Sequence, residues 1–480
     1  MYLESIFIKY ENIQAAEKYF IVKLLQYLDD EISITKPVKF MVDEFGIHAR
    51  VVSSSIRYLI KHDYCVQSKI KKTRGRSLTK LTIQPKLIEL INDCQSLNVK
   101  YHRTLIDDLL CTAPLCRDTE TGKQHPLTLS CRLLLIVLLS HSNKCGVVRG
   151  LGGTMLCQLT GMKKARLKSE LTKLKDFGYI RSSVSGLNGE YLLGTVNTVY
   201  FLNLTNTRYR NTGYSGAVIL FPVNMFKSHE ASNLITLGVK ARKMKDEMSD
   251  SFNAPLNPIF YEFRHYKPFY DDVRNIDIRE LSQFFGTKLT KNPGTYLQLK
   301  ISEYASYLLS THWKTLIGSR VFHCEYLMSQ IRMEALATRY RSRKERGSTH
   351  EDEQIELLYE MIFSLAMELA LTIKSAVEPI ESKVQFKFED MDFVILPTGL
   401  KGGISARSYP SIELHSKNMN DKLTGFYLLN ELFEHIGDED AGMSKKVSLS
   451  VEEQYKYGLL TRPNPKKEKY LYKVRELKVF

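Results

Sequence analysis

The side chains best suited to metal chemistry are two cysteines and a histidine in one polar stretch, Cys111, Cys116 and His125. Thiolate and imidazole are preferred zinc ligands, and a structural zinc site needs four ligands. The fourth ligand is missing here, and no two of the eight cysteines have CxxC spacing. Buried or surface thiols are the alternative to a zinc site, and we expect no metal and no cofactor.

Catalytic motifs are equally scarce in this chain. The GLGGT sequence that begins at Gly150 lacks the GK[ST] of a phosphate-binding loop, and neither HExxH nor Gly-x-Ser-x-Gly occurs. Acidic residues stand side by side, as in Glu389-Asp390, which is typical of solvated loops. A nuclease with scattered acidic ligands in the C-terminal region remains an alternative, but the sequence favours a protein that is not an enzyme.

Basic residues give the strongest functional signal, because they are concentrated in two short segments. The net charge is +15. Residues 50–80 contain nine lysines or arginines against one acidic residue, and residues 163–181 contain seven against two. The two segments therefore carry 13 of the 15 excess positive charges. Such focused patches favour a nucleic-acid partner over a diffusely cationic surface.

The first basic segment changes its hydrophobic period halfway. Apolar residues at spacings of three and four predict a helix after His48, and two β-rich runs then flank a basic tip that contains Gly75. Upstream, the pattern predicts a helix over 15–28, a short strand over 32–34 and a helix that starts at Pro37 and ends at Gly46. The predicted order is helix, strand, helix, helix and hairpin.

The same order is predicted a second time, between residues 127 and 204. An apolar helix over 127–140 is followed by a glycine-rich loop, a short helix over 154–159 and a turn at Gly161. The basic helix over 163–177 ends at Gly178, and strand patterns follow it.

Two sequences in these segments resemble a known motif. LKSELTKLKDFGYI, residues 167–180, resembles the recognition helix and first wing strand of bacterial winged helix-turn-helix proteins. IRYLIKHDYCV, residues 56–66, fits the same frame, with His62-Asp63 where the glycine would fall. The resemblance covers residues 13–90 and 125–205. It implies tandem winged helices, as in transcriptional regulators and plasmid-type replication initiators, with a helix in the major groove and a wing along the backbone.

The resemblance also implies a set of DNA-binding residues. Those expected to face bases are Ser53, Ser54, Arg57, Lys164, Arg166 and Lys168. Those expected to hold phosphates in the first wing are Lys71, Lys72, Arg74 and Arg76. The predicted set is completed by Arg50, Lys61, Lys69, Lys163 and Lys173. A solvated charged face is the alternative for the first segment. Dimerisation competes with DNA contact in the second domain, whose wing is neutral.

The expected fold class is α+β and helix-rich, with two winged-helix domains in tandem before a mixed α+β C-terminal region with a long helical hairpin. The hairpin helices are predicted over 322–346 and 351–376. The expected segments are winged helices at 1–100 and 126–210, a linker at 101–125, a mostly helical and oligomerising domain at 211–380, and a small α+β domain at 381–480.

The chain is expected in the cytoplasm, associated with the nucleoid. Its N-terminus lacks the pattern of a secretory signal, and its most apolar run, 133–139, is too short to cross a bilayer.

We expect a sequence-specific double-stranded DNA-binding protein that regulates transcription. A replication initiator of a plasmid or mobile element and a protein-binding winged-helix scaffold are the alternatives. The expected partners are double-stranded DNA, a second copy in a homodimer and a protein bound through the C-terminal half, but no membrane.

Overall fold

The computed structural model shows a helix-rich α+β protein, as the sequence predicts. The residues that it describes are 2–29, 31–70, 78–94, 99–111, 115–117, 124–189, 191–206, 216–222, 230–247, 281–286, 291–317, 323–337, 349–384, 386–397, 410–418, 423–429 and 443–460. They divide into two compact units. The first unit contains the described residues of 1–181 and 200–206, and the second contains those of 182–199 and 216–460.

The first unit begins with helices and a small sheet in the predicted order. Its elements are α1 (Tyr2–Ser5), α2 (Ala15–Leu28), β1 (Ser33–Thr35), α3 (Val38–Phe45), α4 (Ala49–Lys61), β2 (Cys65–Ile70) and β3 (Leu78–Ile83). The three strands form an antiparallel sheet in the order β1–β3–β2, which places β2 at an edge. We call α2 to β3 the first repeat. Helices α5 (Pro85–Asp93) and α6 (Arg103–Cys111) follow.

The same element order occurs again after a short hairpin of β4 (Leu115–Arg117) and β5 (Gln124–Pro126). The elements are α7 (Leu129–Ser140), β6 (Val147–Val148), α8 (Gly153–Thr160), α9 (Lys164–Asp176), β7 (Ile180–Val184), β8 (Leu187–Asn188), β9 (Thr195–Val196) and β10 (Val199–Leu202). Strands β6, β10 and β7 form a sheet in that order, which matches β1–β3–β2. We call α7 to β10 the second repeat.

Equivalent turns have equivalent backbone conformations in the two repeats. Gly46 ends α3 with φ +61°, and Gly161 ends α8 with φ +68°, so the left-handed conformation favours glycine at both positions. After the next helix, Gly178 has φ +71°, and Asp63 adopts φ +59° at the matching place. Asp is among the few residues that tolerate this conformation. The first repeat therefore makes the same turn after α4 although it has Asp63 in place of a glycine.

The two repeats share one hydrophobic core. Helix α2 packs against α4 in its own repeat and against α7 in the next, and α7 packs against α8 and α9. Tyr19 on α2 and Leu134 on α7 are both fully buried in the same cluster. Polar contacts reinforce this packing, since the Tyr19 hydroxyl donates to Leu109 O (3.0 Å) and the Arg132 guanidinium lies over the Tyr19 ring.

Helix α6 lies within the segment that the sequence reading assigned to a linker. Its residues Leu105, Ile106, Leu109 and Leu110 are buried in the same core, and the helix packs against α7. The apolar spacing within this segment is thus used for packing rather than exposed. The five predicted segments are finer than the division into two units, and as domains they stay a prediction.

The second unit is a mixed sheet with helices packed against it. Its elements are β11 (Gly216–Leu220), α10 (Glu230–Glu247), α11 (Lys291–His312), α12 (Glu325–Glu334), α13 (Thr349–Val377), β12 (Met391–Leu396), β13 (Ser411–Ser416), β14 (Thr424–Leu429), β15 (Met443–Lys446) and α14 (Val451–Lys456). The strand order is β12–β13–β11–β14–β15, in which β11 pairs parallel with β14 and antiparallel with β13. Helix α11 packs against α10, α13 and β12.

The second unit differs from the sequence expectation in two respects. Strand β11, from the predicted helical segment, is the central strand of a sheet whose other four strands come from the predicted C-terminal segment. The helix predicted over 322–346 ends at Glu334 among the described residues, so α13 has the long α11 and the short α12 as neighbours instead of one long partner. Within the described part of the chain, every helix is too short or too polar to span a lipid bilayer.

Candidate nucleic-acid interface

Helix α4 presents a polar and basic face to solvent because its apolar face is buried. Val52, Ile56 and Leu59 pack into the core at spacings of four and three. The N-cap is His48, whose Nδ1 accepts a hydrogen bond from Arg50 N (3.2 Å). The predicted contact residues of α4 that are exposed are Arg50, Ser53, Arg57 and Lys61. They recur every three or four residues and therefore form one face.

The three residues expected to face bases in the first repeat differ in their accessibility. Ser53 and Arg57 are exposed, and Arg57 Nε donates to Ser53 O at 3.3 Å, which orients the guanidinium along the helix. Ser54 is half-buried and its hydroxyl donates to Val51 O at 3.0 Å. Ser54 is thus less accessible to any partner than Ser53 and Arg57 are.

Strand β2 continues the polar surface beyond α4. It is an edge strand of its sheet, and every residue from Val66 to Ile70 is exposed, including Lys69. The next predicted contacts, Lys71, Lys72, Arg74 and Arg76, lie outside the described residues. Two apolar side chains, Val66 and Ile70, are also exposed, at 51% and 40%. This strand therefore offers both charge and apolar area to a partner.

Helix α9 carries the predicted contacts of the second repeat, but they fall into two groups. Lys163, Lys164 and Lys168 are exposed. Arg166 is exposed as well and Lys173 is half-buried, but both also lie near Glu170, with N–O distances of 3.9 and 3.3 Å, and Arg166 Nη2 donates to Ser130 Oγ at 2.7 Å. The Glu170 carboxylate partly neutralises Arg166 and Lys173. The positive charge that α9 offers to a partner is therefore smaller than the number of its lysines and arginines indicates.

Glu170 is a residue that the sequence reading overlooked. It is 4% exposed, and its Oε2 accepts a hydrogen bond from the Cys131 thiol at 2.6 Å. Burial and then this hydrogen bond raise the pKa of Cys131 to about 12. The i,i+4 spacing of Arg166 and Glu170 and the i,i+3 spacing of Glu170 and Lys173 were visible signals of the ion pairs.

A short segment before α2 contacts α4 of the first repeat and the turn between α8 and α9 of the second. The Tyr10 ring packs against Tyr58 near the end of α4, and the Tyr58 hydroxyl donates to Glu11 O at 2.8 Å. At Gly161, just before α9, a Cβ atom would clash with Ile13 O. The C-terminal end of α4 and the α8–α9 turn at Gly161 therefore both lie against residues 10–13.

The hairpin of the second repeat has partners that the sequence did not indicate. Residues 182–199 belong to the second unit, where Leu193 N donates to Ala335 O (2.7 Å) and Ala337 N donates to Tyr191 O (2.8 Å). The chain after α12 thus pairs with this hairpin. The segment expected to be a neutral wing is engaged in contacts within the protein.

The cysteine-rich stretch is also partly positioned by the fold. Cys116 and His125 are directly opposite each other in the β4–β5 hairpin, and the exposed Cys111 ends α6. Among the side chains that the structure describes, no group of three or more His, Cys, Asp or Glu residues is arranged to hold a metal ion.

Comparisons with known proteins add no relative to these observations. No protein-family model matches the chain, and a search of the curated proteins finds no similar sequence.

Proposed function

We propose that this protein is a non-enzymatic, sequence-specific double-stranded DNA-binding protein that regulates transcription. The observation that carries the proposal is the exposed face of α4, where Arg50, Ser53, Arg57 and Lys61 are presented by a helix whose other face is buried. A helix of this kind fits the major groove, and polar and arginine side chains are those that read base edges.

The arrangement of elements supports winged helices as the scaffold of both repeats. Three helices with a sheet in the order β1–β3–β2 place the third helix, α4, beside an edge strand that leads to the basic residues 71–76. In our proposal Arg57 and Ser53 face bases, while Arg50, Lys61 and Lys69 hold phosphates. In the second repeat, the exposed Lys163, Lys164 and Lys168 extend the contact with DNA. The hairpin over 182–199 takes no part in this contact, because its backbone is hydrogen-bonded to Ala335 and Ala337.

The first experiment measures binding of the full chain to random duplex DNA over a range of salt concentrations. The probe variant replaces Arg50, Arg57, Lys61 and Lys69 together by glutamine. Each lost phosphate contact reduces the slope of log affinity against log salt by about 0.9, so the three phosphate contacts assigned to Arg50, Lys61 and Lys69 predict a reduction of roughly 2.7. A matched control replaces the exposed Lys39, Lys100, Lys240 and Lys243 by glutamine, with the same change in charge.

The comparison between these two variants decides the proposal. We expect the α4 and β2 variant to lose affinity together with roughly 2.7 of its slope, while the control keeps both. Equal losses in the two variants would reflect net charge alone and would contradict the assigned interface. No binding by the wild-type chain at low salt would favour the alternative of a scaffold that binds proteins through the same surface, with the exposed Val66 and Ile70 as its apolar contacts.

A replication initiator is the second candidate function. The observation that favours it is the common core of the two repeats, because the notable feature of such initiators is two winged helices in series. Selection of bound fragments from genomic and plasmid DNA separates the two roles. Sites at promoters support a regulator, and a repeated array at an origin supports an initiator. In both cases we place the protein on DNA in the cytoplasm, as a homodimer, with the second unit available to a protein partner.

A further inference from the structure

The segment that contacts both α4 and the α8–α9 turn is itself held by a buried lysine. We call residues 6–13 the strap. Lys18, on α2, has no exposed surface, and its Nζ donates to Ile6 O at 2.8 Å and to Ile8 O at 2.7 Å. Burying an amine is unfavourable unless it is hydrogen-bonded, and here both partners are strap carbonyls. Lys18 therefore fixes the course of the strap relative to α2.

The strap reaches both repeats from this anchored position. Phe7 packs on His141, the residue that caps α7, with ring centroids 4.9 Å apart. Tyr10 packs edge-on against Tyr58 and Tyr64 at 6.4 and 5.9 Å, at the junction of α4 and β2. Ile13 lies against Gly161, at the start of the turn into α9. One short segment thus contacts the C-terminal end of α4 and the turn that leads into α9.

The packing of α2 on α7 joins the repeats, and α4 and α9 pack in turn on these two helices. Packed helices can slide past each other by small amounts, and such shear displaces whatever each helix carries. The strap acts at a different place, since it contacts the C-terminal end of α4 and the α8–α9 turn directly. A hydrogen bond from Tyr58 to Glu11 O (2.8 Å) and the close approach at Gly161 leave little room for movement there.

We propose that the strap, held by Lys18, is a positioning element that sets the separation and rotation of α4 relative to α9, so that the protein selects DNA sites by the spacing of two half-sites. The inference rests on the proposed DNA-binding function. Helices α4 and α9 have 13 residues each, which corresponds to a length of about 20 Å. Adjacent major-groove segments on one face of DNA are about 34 Å apart, and this is the spacing that α4 and α9 would have to match.

The experiment uses a duplex selected by the wild-type full chain from a randomised library, with insertions of one to ten base pairs between its two half-sites. A two-base-pair insertion rotates one half-site by about 70° relative to the other, since a turn contains about 10.5 base pairs. We expect the wild type to lose at least tenfold in affinity for that duplex. In Lys18→Met, which removes both hydrogen bonds and keeps the side-chain volume, we expect the loss to fall below threefold.

A second variant and a control keep the result interpretable. Tyr58→Phe removes only the hydroxyl that donates to Glu11 O, at the other end of the strap, and should also broaden the tolerated spacings. Lys23→Met is the control, because Lys23 is a buried lysine of the same helix whose Nζ contacts Gln26 Oε1 (3.1 Å) rather than the strap. If Lys18→Met does not fold, Tyr58→Phe decides the question.

The outcomes distinguish the inference from the function on which it rests. Broadened spacing in Lys18→Met or Tyr58→Phe, with the wild-type profile kept in Lys23→Met, would support the strap as a positioning element. A wild-type profile in every folded variant, or a wild type indifferent to spacing, would overturn the inference and leave DNA binding intact. If the wild type selects no duplex from the library, the proposed function fails and the inference fails with it.

Discussion

The amine of Lys173 lies 3.3 Å from the buried carboxylate of Glu170, so one of the basic residues of α9 neutralises a charge inside its own repeat. Arg166 approaches the same carboxylate from the preceding turn. The net charge of a segment therefore overstates what the segment offers to a partner. Exposed Lys168, one turn away on the same helix, has no such carboxylate partner among the described ion pairs.

This difference predicts opposite results for two substitutions on α9. Lys168→Gln should reduce the salt slope of DNA binding by about 0.9, the value of one lost phosphate contact. Lys173→Gln should leave the slope nearly unchanged and lower the free energy of unfolding by about 0.5 kcal/mol, because its ion pair is partly exposed. Salt titrations and urea unfolding of both variants provide the measurement. Equal slopes in the two variants would contradict a DNA contact by Lys168.

Arg57 is predicted to contribute to sequence discrimination more than to general affinity. It is exposed at the centre of the α4 face, and an arginine bound to a guanine edge contributes about 1–3 kcal/mol of discrimination against other bases. Arg57→Gln should reduce the ratio of affinities for a selected and a random duplex by roughly 5- to 150-fold. Arg103→Gln, at an exposed arginine of α6, is the control. An unchanged ratio in Arg57→Gln would place this residue on the phosphates instead.

Two serines of α11 are predicted to stabilise the edge of the second unit's sheet. Ser310 Oγ accepts a hydrogen bond from Phe393 N at 2.8 Å, and Ser306 Oγ accepts one from Ile395 N at 3.0 Å. Ser310→Ala leaves a partly buried edge amide without its partner and should lower the free energy of unfolding by about 1–2 kcal/mol. Ser375→Ala, at an exposed helical serine, should change it by less than about 0.5 kcal/mol. Equal free energies of unfolding in Ser310→Ala and the wild type would show that water replaces the serine hydroxyl as the partner of Phe393 N.

The buried lysine of α2 makes the stability of the first unit depend on pH. Burial lowers the pKa of Lys18 from its ordinary 10.5 to about 7. Between pH 7 and 8.5 the unfolded chain consequently binds more protons at this position than the folded chain, and the free energy of unfolding rises with pH. The contribution is about 1.5 kcal/mol over this window. Urea unfolding of the wild type and of Lys18→Met at several pH values measures this contribution, as the difference between their free energies of unfolding.

The groups that face Lys18 do not titrate in the same window. Burial lowers the pKa of His141 on α7 and raises that of Cys94 after α5, so both are neutral, and the pKa of Tyr10 is raised as well. The difference in the free energy of unfolding between the wild type and Lys18→Met should therefore follow a single titration centred near the pKa of Lys18. A pH-independent difference would mean that the amine keeps its charge in the folded protein.

Much of the first unit could be predicted from local sequence. The apolar spacing around Val52 and Leu59 predicted α4, and Gly46 and Gly161 predicted the turns before α4 and α9, since both features act over a few residues. The basic face of α4 followed from the same period. Its Ser54, however, is half-buried, because the exact rotation of a helix on its core depends on the residues it packs against.

The sequence by itself determined the helix-rich α+β class, the repeated order of elements and the position of the exposed basic residues of α4, because periodicity, glycine turns and charge are properties of neighbouring residues. The tertiary structure alone decided the pairing of β11 with β13 and β14, the enclosure of Glu170 and the anchoring of the strap by Lys18. These features bring together residues far apart in the chain or choose which polar group is buried. Such choices depend on how much apolar surface the whole unit can bury at once, and no local pattern records that.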